Sequence, residues 1–234
     1  MLRDLFLLPV LVATLALTAC DFAPEPTPRA EEESSALSVP LRASNADAAA
    51  LYRVVETYFD QYLALNPVRA SELGDHRFDD RFGDYVSMSW MADSLGIEQE
   101  SLEKLAAIDP QRLAGEDLVT YAAFKRQREL GIGGYRYPSE LLAIHSSANW
   151  PGVFAQLGSG KGAHPFRTTR DYDNFLARMD GFIVWVDQAI NNLRAGVTKG
   201  VVLPQDVVER TLPQLEAFGR LEDPRQTVFW QPLL

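Results

Sequence analysis

The densest set of groups able to bind a metal lies in the ten residues from Asp75 to Asp84, which contain four aspartates and His76. Carboxylates and an imidazole are possible ligands for divalent cations. The stretch also has a simpler interpretation, in which Arg77 and Arg81 pair with neighbouring acids in a solvated loop and two phenylalanines pack beneath. It lacks the ordered acidic spacing of an EF-hand loop. We therefore predict no metal site here.

Other catalytic patterns are incomplete. The three histidines, at positions 76, 145 and 164, are widely spaced and none precedes a glutamate, so the zinc-hydrolase pattern His-Glu-x-x-His does not occur. His145-Ser146-Ser147 has residue types of a serine triad without a nucleophile elbow. The glycine run 158–162 lacks the Lys-Ser/Thr ending of a P-loop and indicates a flexible connection. The sequence thus predicts no catalytic residue, metal ligand or cofactor in this chain, with each histidine at the surface or the rim of the core.

Cys20 is the single cysteine of the 234-residue chain and carries the most specific chemical signal. It follows Leu17-Thr18-Ala19, and the four residues resemble the lipobox of bacterial lipoproteins. The apolar run 5–17 before it is shorter than the roughly 20 residues of a membrane-spanning helix and has the length of a signal-peptide core. We predict a lipoprotein signal peptide over 1–19, with lipid attached to the Cys20 thiol. The alternative is an ordinary secretory signal with a chance cysteine.

The net charge of −10, without a block of Lys or Arg, argues against a nucleic-acid partner and against electrostatic adhesion to anionic lipid. The membrane is the predicted partner, and we expect the N-terminal lipid to make the contact with it. Residues 20–45 are rich in proline and acidic residues and have few large apolar side chains, which is typical of a flexible tether. We expect a protein of the cell envelope that is lipid-anchored to a membrane, with its body, 46–234, facing the periplasm.

The body is expected to be all-α, an irregular helical bundle, because apolar residues recur three or four apart and no segment alternates with period two. The spacing predicts helices over about 46–65, 68–73, 89–108 and 115–130, the last one ended by glycines 131, 133 and 134. Thr168 and Asp171 form a capping-box pattern before the strongest helix, which Gly196 is expected to close. Its predicted inward residues are Tyr172, Phe175, Leu176, Met179, Ile183, Val186, Ile190 and Leu193. A last helix should begin at Pro204 and be kinked or divided at Pro213.

Four sequence segments resemble those of one bacterial family, the domain of unknown function 885. They are the stretch 58–80, the residues 165–168 with Asp171 and Tyr172, the stretch 196–204, and the stretch 227–233. The resemblance covers about residues 50–234 and keeps the order of the family.

Members of that family are typically longer, largely helical and often lipoproteins, and a His-Glu-x-x-Pro-Gly-His-His type segment in their C-terminal half makes them look like zinc metallopeptidases. That segment has no counterpart here, so the resemblance assigns no catalytic or metal residue to this chain, while zinc is expected in full-length relatives. It implies an incomplete N-terminal part of a larger domain, forming one wall of a substrate cleft. Its expected partners are a peptide substrate or the missing C-terminal half.

Two hypotheses about function follow. In the first, the chain is a lipid-anchored helical domain related to the N-terminal part of a metallopeptidase-like protein, inactive alone, and it should expose a large apolar face where the other half docks. In the second, it is a self-sufficient, non-catalytic binding or interaction module of the envelope, and its aromatic-rich middle holds a partner.

Overall fold

A computed structural model describes residues 43–144, 149–220 and 223–233, and in these ranges the regular structure is entirely helical. The predicted all-α class is confirmed. The α-helices are α1 (Ala46–Leu65), α2 (Pro67–Glu72), α3 (Met88–Ala106), α4 (Gly115–Gly134), α5 (Trp150–Leu157), α6 (Thr169–Lys199) and α7 (Gln205–Gly219). Short 3-10 helices at His76–Phe78, Pro110–Arg112, Ser139–Leu142, Pro224–Gln226 and Val228–Leu233 connect or follow them. None of the helices described is both long enough and apolar enough to cross a membrane.

Helices α1, α3 and α4 pack around the first of two apolar cores. Side-chain caps fix where two of them begin, since Asn45 accepts a hydrogen bond from the Ala48 amide and Ser87 accepts one from the Trp90 amide. The buried residues of this core are Ala48, Leu51, Tyr52, Tyr58, Leu105, Ile108, Leu113 and Phe124. The helix predicted over 46–65 is confirmed as α1, which buries Leu51 and Tyr58, while α3 buries Ser94, Glu98 and Ser101 together with Leu105.

The second core is aromatic and lies between α5, α6 and the loop before α3. Phe82, 1 % exposed, makes edge contacts with the rings of Trp150, Phe154, Phe182 and Trp185, among others. Such edge-to-face contacts add about 0.5–1.5 kcal/mol per pair beyond the area buried. Aromatic packing therefore holds the part of the chain around α5 against α6.

Three predicted helix limits differ from the structure, and close packing explains two of them. Helix α4 continues through Gly131, where an added Cβ would lie 3.0 Å from the Glu98 carboxyl carbon. Helix α6 continues past Gly196 to Lys199, because Gly196 leaves room for the Val201 carbonyl oxygen, which would lie 2.5 Å from an added Cβ. The true cap of α6 is Gly200, in the left-handed conformation. Helix α7 contains Pro213 without being divided.

The inward face of α6 agrees with the prediction in part. Phe175 is buried, and Met179, Val186 and Leu193 pack against the aromatic core, as predicted. The predicted inward residues Leu176, Ile183 and Ile190 are instead 59 %, 55 % and 41 % exposed, while Arg178, Trp185 and Ala189 are buried. Apolar residues therefore occur on both the buried and the exposed side of α6, and their spacing alone did not separate the two sides.

Candidate functional site

The buried guanidinium of Arg178, in the middle of α6, organises the most polar part of the interior. The side chain is fully buried. Its Nε donates to the Arg81 carbonyl at 2.8 Å, and its Nη2 donates to Ser71 Oγ at 2.9 Å and to the Phe78 carbonyl at 3.1 Å. The remaining partners are Asp79 Oδ1, 3.2 Å from Nη2, and His164 Nδ1, 3.2 Å from Nη1. One side chain of α6 therefore fixes the segment 71–81 and His164 together.

Asp79 is the carboxylate that balances this charge, and it is 2 % exposed. It accepts hydrogen bonds from the Ser71 hydroxyl and from Arg178, while His76 Nδ1 lies 2.8 Å from its second oxygen. A carboxylate oxygen accepts, so Nδ1 of His76 is the donor in this contact. The half-exposed His76 is thus held by a buried carboxylate that is itself fixed by an arginine.

His164 is buried, with 2 % of its surface exposed, so the expected surface or core-rim position is wrong for this residue. Its Nδ1 accepts from Arg178, so its Nε2 is the donor to the Asp171 carbonyl at 2.9 Å. Burial lowers the pKa of His164, and the Arg178 cation lowers it further. The ring is therefore neutral at pH 7 and links α6 to the segment that precedes it.

The start of α6 is set by the predicted capping box, which is confirmed. Thr168 Oγ1 accepts from the Asp171 amide, and the Asp171 carboxylate accepts from the amides of Thr168 and Arg167, both at 2.8 Å. Burial acts to raise the pKa of Asp171, but these hydrogen bonds outweigh burial and hold the pKa below its usual range. On the next residue, the Tyr172 hydroxyl donates to the Pro232 carbonyl at 2.8 Å and attaches the segment 228–233 to this end of α6.

These elements surround an open cleft of about 850 Å³. The 3-10 helix and its end contribute His76, Arg77 and Asp79 to the lining. The segment before α6 and the first turns of α6 contribute His164, Pro165, Phe166, Arg167, Thr168, Arg170, Asp171 and Asn174, and Gly160, Gly162, Ala163 and Pro232 complete the cleft. This polar cleft is the candidate functional site. Its walls can bind and orient a ligand, and His76 offers a positioned imidazole.

The residues of this cleft do not fit a zinc centre. No group of three or more His, Cys, Asp or Glu in the described ranges could hold a metal ion. His76 and Asp79 are adjacent, but the Asp79 oxygens already accept from Ser71, Arg178 and His76. Zinc sites need three or four protein ligands, so these residues cannot form a zinc site by themselves.

The stretch from Asp75 to Asp84 is less solvated than expected. Arg77 does pair with acids, namely Asp75 and Asp60, and Arg81 lies 3.7 Å from Asp80. However, Asp75 and Asp79 are 3 % and 2 % exposed, so they belong to the interior rather than to a surface loop. Hydrogen bonds from the Arg77 side chain hold the pKa of Asp75 below its usual range.

Several other predicted sites lie elsewhere. Cys20, the signal peptide and 20–42 of the tether are outside the described residues, as is the His145-Ser146-Ser147 sequence.

In the glycine run 158–162, an added Cβ at Gly158 would lie 2.3 Å from the Phe229 ring, and one at Gly162 would lie 2.5 Å from the Gln156 carbonyl oxygen. This run is a tightly packed connection rather than a flexible one, which corrects the expectation.

Sequence reasoning did not find Arg178 or the roles of Asp79 and His164. A usable signal was present, because Arg178 follows Phe175 by three residues and precedes Phe182 and Trp185 at helical spacing. A charged residue in such an apolar stripe must be buried and therefore paired.

A second buried charge pair lies inside the first core, away from the cleft. Arg128 Nε is 3.2 Å from Glu98 Oε2, the Tyr58 hydroxyl donates to Glu98 at 2.9 Å, and the Arg128 guanidinium lies 3.7 Å from the centre of the Tyr58 ring. Burial raises the pKa of Glu98 to about 7. This pair joins α3 to α4, and the hydrogen bond from Tyr58 adds α1.

An extended apolar surface follows the outer side of α6. Leu176, Ile183, Ile190 and Val197, spaced seven residues apart, are 59 %, 55 %, 41 % and 69 % exposed, and we call them the outer stripe. Beside its end lies an apolar groove of about 290 Å³ between α6 and α7. Leu193, Val197, Val202, Leu203, Val208, Leu212 and Leu215 are among its lining residues.

Comparison with known proteins identifies the family. The model of the bacterial protein family of unknown function DUF885 matches residues 67–233, and the chain belongs to this family. No curated protein and no solved structure matches the chain significantly. The match includes α2, the 3-10 helix His76–Phe78 and α6, and therefore every residue that hydrogen-bonds to Arg178.

Proposed function

We propose that this chain is a lipid-anchored protein of the cell envelope whose helical body corresponds to the N-terminal part of a zinc metallopeptidase-like protein. In this proposal the body forms one wall of a substrate cleft, and the 234 residues contain no zinc-binding segment of the His-Glu-x-x-Pro-Gly-His-His type. The chain is inactive alone. Membership of the DUF885 family supports the assignment, and the likeness to metallopeptidases rests on the resemblance described above.

The observation that carries the proposal is the outer stripe together with the adjoining apolar groove. Soluble monomers rarely expose apolar patches larger than a few hundred Å², and larger ones mark interaction sites. Four branched aliphatic side chains on one helix, each at least 41 % exposed, form an apolar surface, and the groove between α6 and α7 extends it. The occupant we infer is the metal-binding half of the family domain.

The polar cleft supports the second element of the proposal, a wall for substrate. Its charged floor is fixed by buried hydrogen bonds rather than by mobile surface residues, as expected for a surface that orients a ligand. The cleft offers His76 but no metal ligand set, so the chemistry of a zinc enzyme would have to be supplied by the other half.

Association in trans tests this proposal. The C-terminal half of a longer family member, carrying the His-Glu-x-x-Pro-Gly-His-His segment, is produced separately, and its binding to the chain is measured by surface plasmon resonance. We expect Ile183→Glu with Ile190→Glu to weaken binding by at least about tenfold, because each substitution places a charge in an apolar interface. Val119→Glu on α4 is the matched control, since Val119 is also exposed, at 68 %, and lies on another helix.

Two results would contradict the proposed docking. The half-domain could fail to bind, or its binding could be equally strong with the two isoleucines replaced. Self-association of the chain that disappears in the same double variant would instead assign the outer stripe to a second copy.

The alternative function, a self-sufficient binding module, is favoured by the two filled cores. The aromatic core around Phe82 and the three-helix core around Leu51 are both packed without the outer stripe. Cooperative thermal unfolding of a monomer that binds no dye for exposed apolar surface would support the module. A broad transition with strong dye binding would support the incomplete domain.

A further inference from the structure

We propose that the polar cleft binds a carboxylate through Arg167 and Arg170, so that its ligand is a peptide or small acid with a free carboxylate next to an apolar group. The inference rests on the proposed function in treating the cleft as a ligand-binding wall. It requires neither zinc nor turnover.

The carboxylates that line the cleft already have hydrogen-bond partners, whereas two of its guanidinium groups have none in the described ranges. The carboxylates of Asp79 and Asp171 both accept hydrogen bonds from Arg178, from His76 or from backbone amides. The exposed guanidinium groups of Arg167 and Arg170 have no ion pair or side-chain hydrogen bond in the ranges that the structure describes, although many other arginines do, including Arg69, Arg77, Arg112, Arg210, Arg220 and Arg225. Two free cations therefore face one cleft of a protein whose net charge is −10.

The positions of both arginines are fixed by the fold rather than by the ligand. The Arg167 amide donates to the Asp171 carboxylate, and Arg170 lies in the first turn of α6, which the capping box holds in place. His164 donates to the Asp171 carbonyl and ties the same turn to the buried Arg178. Because the backbone is fixed in advance, binding has to order only the two side chains.

The rest of the cleft favours a carboxylate over a phosphate dianion. Guanidinium groups pair bidentately with either anion. Asp79 and Asp171 also line the cleft, however, and a doubly charged ligand would be repelled more strongly by them than a singly charged one. Ala163, Pro165, Phe166 and Pro232 supply an apolar side to the same cavity, where the carbon skeleton beside a carboxylate can pack.

Calorimetric titration of the full chain with four probes tests the assignment. The probes are acetyl-Ala-Ala-Phe as the free acid, the same peptide as its C-terminal amide, sodium acetate and inorganic phosphate. We expect the free acid to bind at least about tenfold more tightly than the amide, since the charge-assisted hydrogen bonds are lost in the amide. Raising the salt concentration from 20 to 200 mM should weaken binding of the acid, because the arginines are exposed.

Arginine variants test whether Arg167 and Arg170 bind the free acid. Arg167→Gln with Arg170→Gln should weaken binding of the free acid at least about tenfold without lowering the melting temperature, because neither guanidinium has a partner in the described part of the fold. Arg194→Gln is the matched control: this guanidinium also lacks an ion pair in the described ranges, but it lies near the other end of α6 and outside the cleft. Its affinity should stay within about twofold of that of the unmodified chain.

Equal affinity for acid and amide, unchanged affinity in the double variant, or no binding of any probe would overturn the proposal. Tighter binding of phosphate than of the free acid would also overturn it, by assigning the cleft to phosphate. Zinc-dependent turnover by the chain alone would refute the proposed function and leave these binding results as they stand, so the two failures are distinguishable.

Discussion

Replacing Arg178 by methionine removes the buried charge that holds Asp79 and His164 behind the cleft and keeps a side chain of similar length. The guanidinium is fully buried and donates to two backbone carbonyls, to Ser71 and to Asp79, with His164 as a further partner. The variant therefore leaves a carboxylate, an imidazole nitrogen and two carbonyl oxygens in the interior with fewer donors.

The expected loss follows from these contacts. Breaking a buried ion pair by removing one partner costs about 3–5 kcal/mol, since the other charge stays buried. The two carbonyls add on the order of 1 kcal/mol if no water replaces the donor. Domains of this kind have a total free energy of unfolding of about 5–15 kcal/mol. Arg178→Met should therefore remove a large fraction of the stability.

Urea unfolding followed by far-ultraviolet circular dichroism measures this loss. Arg210→Met is the control, because Arg210 pairs with Asp206 in solvent and such pairs contribute about 0–1 kcal/mol. Adding Asp79→Asn to Arg178→Met should restore part of the stability, since it removes the unpaired charge. A loss below about 1 kcal/mol, or a loss equal to that of Arg210→Met, would refute the reasoning.

Three further predictions concern pH, close packing and the anchor. Glu98 has a folded-state pKa of about 7 against its usual 4.5, so its contribution to stability is present below pH 4.5 and is lost as the pH rises through 7. The urea midpoint should thus fall between pH 5 and pH 8 in the unmodified chain, and this part of the slope should be absent in Glu98→Gln; identical slopes would contradict the assignment. Gly196→Ala should lower the free energy of unfolding by about 1–3 kcal/mol, since its Cβ would meet the Val201 carbonyl oxygen, whereas Gly96→Ala, with open space around it, should raise the melting temperature. Cys20→Ser should abolish incorporation of labelled palmitate and move the chain out of the membrane fraction, and an unchanged distribution would refute the lipid anchor.

The helices were largely predictable because their signals are local. The helix over 46–65 and the Thr168–Asp171 capping box depend on residues within a few turns, and the structure confirms both. The end of α6 was not predictable in this way. Gly196 has the signature of a cap, but its role is to admit the Val201 carbonyl, which depends on how the following segment folds back.

The candidate site was harder to predict because it joins distant parts of the chain. Asp79 and Arg178 are 99 residues apart, and His164 reaches both through Arg178. Asp79 was identified as a possible ligand from composition alone, yet its function here is to neutralise Arg178 and to hold His76. Only the position of Arg178 among the apolar residues of α6 indicated a buried charge, and the partner of such a charge cannot be deduced from helical spacing.

Peptide hydrolysis tests most directly whether this chain is a wall of a substrate cleft without zinc-peptidase activity of its own. The purified chain is incubated with one equivalent of zinc and a mixture of peptides, and turnover is followed by mass spectrometry together with the zinc retained after gel filtration. We expect no hydrolysis above the protein-free control and no stoichiometric zinc. Turnover that rises in proportion to bound zinc and disappears with a chelator would contradict the proposed function.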